Sequence, residues 1–160
     1  MKLRRREVLL GAAAAILTPT VWAAHRSSNV LLVRETTLPE SELFATSWQA
    51  RSVSFENDVG NLLYDNLVPS WREHGVAPLA GLTSVHAYFC LSQVAADHGL
   101  RLIYRDIHRL PLQPSRIARV AQSTLQDTVS WRVLSPHEVL PSAQREFASW
   151  LLVPRGMTRP

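Results

Sequence analysis

Cysteine is nearly absent from this chain: Cys90 is the only one in 160 residues. A lone thiol cannot close an intrachain disulfide, so packing alone must hold the domain. It also excludes a Cys-x-x-Cys-His haem attachment and a Cys-rich zinc or iron–sulfur site. Glycine is scarce as well. The six glycines form neither a G-x-G-x-x-G nor a Walker A pattern, so nucleotide binding has no support. No G-x-S-x-G occurs, which removes the nucleophile elbow of an α/β-hydrolase. No basic stretch with interleaved aromatics is found, so no nucleic-acid partner is expected. Internal repeats and, beyond the N-terminal segment, low-complexity stretches are also missing.

What is present starts at the N-terminus. Lys2, Arg4, Arg5 and Arg6 make a basic opening. A mostly apolar run from Val8 to Leu17 follows and ends at Pro19. Val21-Trp22-Ala23 then offers small residues at the −3 and −1 positions of a cleavage site. This is the three-part plan of a secretory signal peptide, removed after Ala23. The apolar run is shorter than the ~20 residues a membrane span needs, so no stable span is expected after cleavage.

The run Arg5-Arg6-Glu7-Val8-Leu9 has two arginines, any residue, then two apolar residues. It resembles the twin-arginine translocation (Tat) signal family. Arg4 stands where a Ser or Thr is common, and Leu10 where a Lys is common. The resemblance covers the leader alone. It implies the Tat translocase as a transient partner, export of an already folded chain, and a periplasmic location. An ordinary Sec signal with an arginine-rich start is the alternative.

The leader also explains the charge. Its one Lys, three Arg and one Glu supply three of the four net positive charges, leaving +1 for residues 24–160. The basic balance is thus partly a property of the targeting segment.

Residues 24–28 read as a linker and 29–153 as one domain, long enough to bury a core. Within it, Asn29–Arg34 reads as a buried strand. Pro39 to about Trp48 reads as a helix with acids in its first turn. Ser52–Phe55 alternates like a strand. Val59 to about His74 has helical spacing, with a kink or break expected at Pro69 and a stop at Gly75. Val76–Leu82 is a third apolar run. Thr83-Ser84 caps a helix from Val85 to His98, apolar over most of its circumference and so expected to bury Phe89. Leu100–Ile107 reads as a fourth strand, Pro114–Leu125 as a helix, Val129–Val133 as a fifth strand and Pro141–Leu152 as a closing helix. Residues 154–160 read as a flexible tail. Strands and helices alternate about five times. The expectation is a three-layer α/β domain with a mostly parallel sheet of about five strands, in flavodoxin-like or Rossmann-like order.

Three groups of residues are candidate sites. Thr83 and Ser84 join a buried strand to a helix N-terminus, where free N–H groups and the helix dipole suit an anion. The plain alternative is a capped strand–turn–helix junction. On the following helix, His86, Cys90, Gln93 and Asp97 share one stripe, and His86 with Cys90 could share a metal ion or form a thiolate–imidazole pair. The plain alternative is the helix's wet face, since two ligands do not make a metal site. Arg105-Asp106-Ile107-His108-Arg109 ends the fourth strand. There His108 would serve as a general acid or base and Arg105 or Arg109 as an anion clamp. The alternative is a solvated strand end. In a parallel sheet, Thr83, Ser84, Arg105 and His108 would share one cleft. His74 and His98 sit at helix ends and read as structural.

These features imply an exported binding or accessory protein for a small anionic ligand or an exported partner. A small periplasmic enzyme working through Thr83, Ser84 and His108 is the alternative. No cofactor is specified by the sequence.

Overall fold

A computed structural model describes residues 29–127, 133–134 and 146–157. The expected leader and linker, most of the expected strand Val129–Val133 and the start of the expected closing helix lie outside these. Five strands make one sheet: β1 (Leu31–Glu35), β2 (Ser52–Phe55), β3 (Leu79–Ser84), β4 (Leu100–Arg109) and β5 (Glu146–Pro154). Four helical segments pack on its faces. These are α1 (Pro39–Thr46), α2 (Val59–Asn61, Leu62–Leu67 and Val68–His74 in succession), α3 (Val85–Asp97) and α4 (Pro114–Gln126). No helix among the described residues is long and apolar enough to cross a membrane.

The sheet order is β2-β1-β3-β5-β4. β1 pairs parallel with β2 and β3. β5 runs antiparallel to β3 and to β4 and lies between them. The domain is therefore α/β around one five-stranded sheet, as expected, but the sheet is mixed. Neither expected strand order is followed, because the last strand is inserted between the third and fourth. β3 and β4 still run in the same direction, joined through α3. The carboxyl ends of β1 to β4 share one edge, and β5 starts there.

Residues 146–152 are strand, not the expected helix. Composition explains this. Ala148 through Val153 are all buried. A central strand covered on both faces has no polar stripe to show its period of two. In β3, Gly81 allows Trp150 of β5 to lie across it. A Cβ at Gly81 would come within 2.5 Å of Trp150 Cζ2.

Two apolar layers follow. One face carries Leu79, Leu102, Ala148, Trp150 and Leu152 against α2 and α3. The other carries Leu32, Ala80, Leu82, Leu151 and Val153 against α1 and α4. The expected disruption at Pro69 takes the form of a π-helical stretch, Leu62–Leu67, just before it. The wider turn lies next to the position where proline lacks its N–H donor. On α3, Tyr88, Leu91 and Ala95 are fully buried, but Phe89 is 46 % exposed. At 100° per residue it flanks His86 on the side away from Cys90, still on the outward arc, which corrects its expected burial. The expected tail is tied down at its start: the Arg155 N–H donates to the Gly99 carbonyl at 2.8 Å.

Candidate functional site

The shared strand edge places the expected site residues by simple alternation. Ser84 and His108 both pair with Phe147, while Thr83 and Ile107 both pair with Ala148. Thr83 and His108 therefore stand two strands apart, about 10 Å, and point to opposite faces. The Thr83 hydroxyl accepts from the indole N–H of Trp150 at 3.0 Å, on the α2/α3 side. Arg105 pairs in register with Trp150 and shares that face. His108 meets Ser149, on the α1/α4 side. The sheet brings these residues to one edge but not into one cleft.

The N-terminus of α3, the expected anion site, is served by the chain itself. The Ser84 side chain accepts from the Ala87 N–H at 3.3 Å. The Ser84 N–H donates at 2.6 Å to the Glu35 carboxylate, from the end of β1. Helix termini attract negative charge, and here Glu35 supplies it. Arg34, one residue earlier, is paired with Glu42 of α1. On α3, Cys90 Sγ lies 4.0 Å from His86 Nε2 on an outward surface. No cluster of three potential metal-ligating residues exists among the described residues.

The most organised polar group lies on the α1/α4 face, at the end of β4 and the start of β5. His108 Nε2 is 2.7 Å from the Ser149 hydroxyl. That hydroxyl is 3.0 Å from the Tyr104 hydroxyl. Ser149 is fully buried, and the His108 side chain is 15 % exposed. On its other edge, His108 Nδ1 is 4.0 Å from Asp106 Oδ2. Burial pushes the His108 imidazole below its ordinary value of 6.5, with Asp106 opposing that shift. Burial pushes the Tyr104 phenol up from 10.0, with its bond to Ser149 working the other way. At neutral pH both groups are uncharged. With the ring proton on Nδ1, on the side of Asp106, Tyr104 can donate to Ser149 and Ser149 to Nε2.

Beyond this network opens a groove of ≈ 420 Å³, lined by Tyr104, His108, Arg109, Leu112, Arg116 and Ile117 among others. The β4–α4 turn, with a cis Leu110–Pro111 bond, forms one rim. Arg109 donates twice to Glu146 Oε1, through Nε at 3.0 Å and Nη2 at 2.8 Å. Its side chain stays 79 % exposed while that of Glu146 is 5 % exposed. The buried carboxylate thus orients an arginine whose head remains in water. Arg116, on the first turn of α4, has no ion-pair partner among the described residues.

The contacts Asp106–His108–Ser149 follow the order of a hydrolytic triad. Ser149, however, sits mid-strand under both layers and shares its hydroxyl with Tyr104. A substrate carbon has no approach to it. Its role is to orient the imidazole, which leaves Nδ1–H as the group His108 offers outward.

Tyr104, Ser149, Glu146 and Arg116 escaped the sequence reading. Ser149 was hidden by reading its segment as helix. The signal against a helix was the short apolar run Ala148–Val153 stopped by Pro154, a strand's length. No protein-family model, curated protein or solved structure matches the chain, so its own geometry alone bears on what the groove holds.

Proposed function

We propose that this is an exported binding or accessory protein whose ligand is a small anion held in the groove beside His108. One observation carries the binding part. A neutral imidazole, fixed from behind by a buried Ser149–Tyr104 pair, opens onto a ≈ 420 Å³ groove that also holds Arg116. Directed donors and guanidinium groups around a concave surface are the usual means of recognising anions. The test is a titration of the labelled protein with acetate, phosphate, sulfate and citrate, followed by amide shifts. Saturable shifts confined to Asp106–Ile117, weakened by Arg116→Gln, are expected. If no anion moves these amides, the reading fails.

Export rests on the leader, with the Tat translocase as the transient partner and the periplasm as the destination. Arg5→Lys with Arg6→Lys is expected to stop processing of the precursor. Continued export of that variant in cells lacking the Tat translocase would instead assign the Sec route.

A second reading makes the protein a small enzyme using His108 as a general acid or base. It is favoured by the lowered imidazole pKa inside a groove. It no longer includes Thr83, whose hydroxyl faces the other layer. His108→Ala separates the two: an enzyme loses turnover and keeps its ligand, whereas a binder loses affinity only.

A further inference from the structure

We infer that the groove takes a small monocarboxylate with an apolar body, rather than a phosphate or another multiply charged anion. This rests on the anion-binding reading above and narrows it to a ligand class.

Charge sets the valence. Arg109 is matched by the buried Glu146 carboxylate behind it. Asp106 stands on the rim, 4.0 Å from the imidazole. Arg116 is the lining cation without a carboxylate partner among the described residues. Beside His108, Arg116 and Asp106 leave no formal excess of positive charge, and the imidazole adds none at neutral pH. A dianion would face Asp106 with only Arg116 to offset it. A single carboxylate can pair with Arg116 and accept from the outward Nδ1–H of His108. Planar carboxylate and guanidinium suit each other's geometry.

The rest of the lining sets the body. Pro111, Leu112, Ile117 and Val120 border the same groove. The apolar surface also continues outward. Val120 is 46 % exposed, and Leu110, next to Pro111, is 53 % exposed. An apolar chain lying along the rim would cover both. Phosphate has no use for that surface. An uncharged alcohol offers one acceptor oxygen and no charge, so it cannot serve both Arg116 and Nδ1–H as a carboxylate does.

The experiment compares three probes on the labelled protein by amide-shift titration: sodium hexanoate, 1-hexanol and inorganic phosphate. Hexanoate is expected to shift the amides of His108, Leu112 and Ile117 saturably, and to bind at least about tenfold more tightly than either control. Arg116→Gln is expected to erase that preference over hexanol. Val120→Asn, at an exposed site that cannot upset the core, is expected to weaken hexanoate without affecting the fold. Phosphate binding as tightly as hexanoate overturns the carboxylate class and leaves the anion reading standing. Hexanol binding as tightly as hexanoate overturns both, since charge would then contribute nothing. Silence with all three probes also overturns both.

Discussion

The Ser149 hydroxyl lies 2.7 Å from His108 Nε2, and the two residues come from antiparallel strands that the chain reaches 41 residues apart. Buried hydroxyls are costly unless paired, and this one is shared between an imidazole and a phenol. Ser149→Ala removes the centre of the network and strands both outer groups. It is expected to cost about 1–3 kcal/mol. Tyr104→Phe removes one end and leaves the Ser149–His108 bond, so it should cost less. Urea unfolding of both variants measures the order. Equal losses would mean that the Tyr104 bond matters as much as the pair behind it.

Gly81 and Trp150 set a second constraint. A methyl at position 81 would meet Trp150 Cζ2 at 2.5 Å, Cε2 at 2.9 Å and the Val33 carbonyl at 3.1 Å. The indole is fully buried and tied to Thr83 at 3.0 Å, so it cannot swing away freely. Gly81→Ala is expected to destabilise by about 1–3 kcal/mol, the usual cost of overpacking. Trp150→Phe in the same background should recover part of that loss. A neutral Gly81→Ala, read by thermal unfolding, would place the indole elsewhere.

Much of the fold was legible because local rules agree with the tertiary result. Leu32, Val33, Leu79 and Leu82 are buried where an apolar run predicts a strand. The Ser84 hydroxyl caps α3 where the Thr83-Ser84 pair suggested a cap. What could not be read is non-local. Nothing near Ala148-Ser149-Trp150 in sequence says that this segment slots antiparallel between β3 and β4. That insertion puts Ser149 beside His108 and parts His108 from Thr83. The same holds for Glu35, whose partner is the Ser84 N–H, 49 residues away. Face assignments depend on alternation, and the bulge between Leu102 and Tyr104 shifts it by one along β4.

Phe89 and Leu91 test the orientation of α3. Both read as core residues from composition, yet Leu91 is fully buried and Phe89 faces outward. Leu91→Ala is expected to cost about 2–5 kcal/mol. Phe89→Ala is expected to cost under about 1 kcal/mol, as surface substitutions do. Denaturant melts of the two variants decide it, and a reversed order would rotate the helix.

Glu35 places a carboxylate at the start of α3, 2.6 Å from the Ser84 N–H. Its own N–H donates to the buried Ser41 hydroxyl, which fixes the end of β1. Glu35→Ala leaves the Ser84 donor without its acceptor and removes negative charge from a helix N-terminus. A loss of about 1–3 kcal/mol is expected from the charged hydrogen bond and the dipole together. Glu35→Gln keeps an acceptor and should lose less. Finding the two variants equally stable would show that the charge, not the hydrogen bond, is what the helix uses.

His108 makes stability depend on pH. Burial lowers its pKa from 6.5 in the folded chain, while the unfolded chain keeps the ordinary value. Between those two values the unfolded state binds more protons, so stability rises with pH across that window. The contribution is complete above about 6.5 and is lost as pH falls through the folded value. Asp106, 4.0 Å from Nδ1, opposes the shift. Asp106→Asn should therefore lower the His108 pKa further and deepen the loss at acid pH. Protonation also forces Nε2 to donate to Ser149, which reverses the hydrogen-bond directions back to Tyr104. The imidazole pKa can be followed by its ring proton shifts, and stability by urea unfolding at pH 7.5 and pH 5.5. His108→Gln should flatten the difference between the two pH values. A folded pKa at or above 6.5 would contradict the burial argument and remove the neutral donor from the groove.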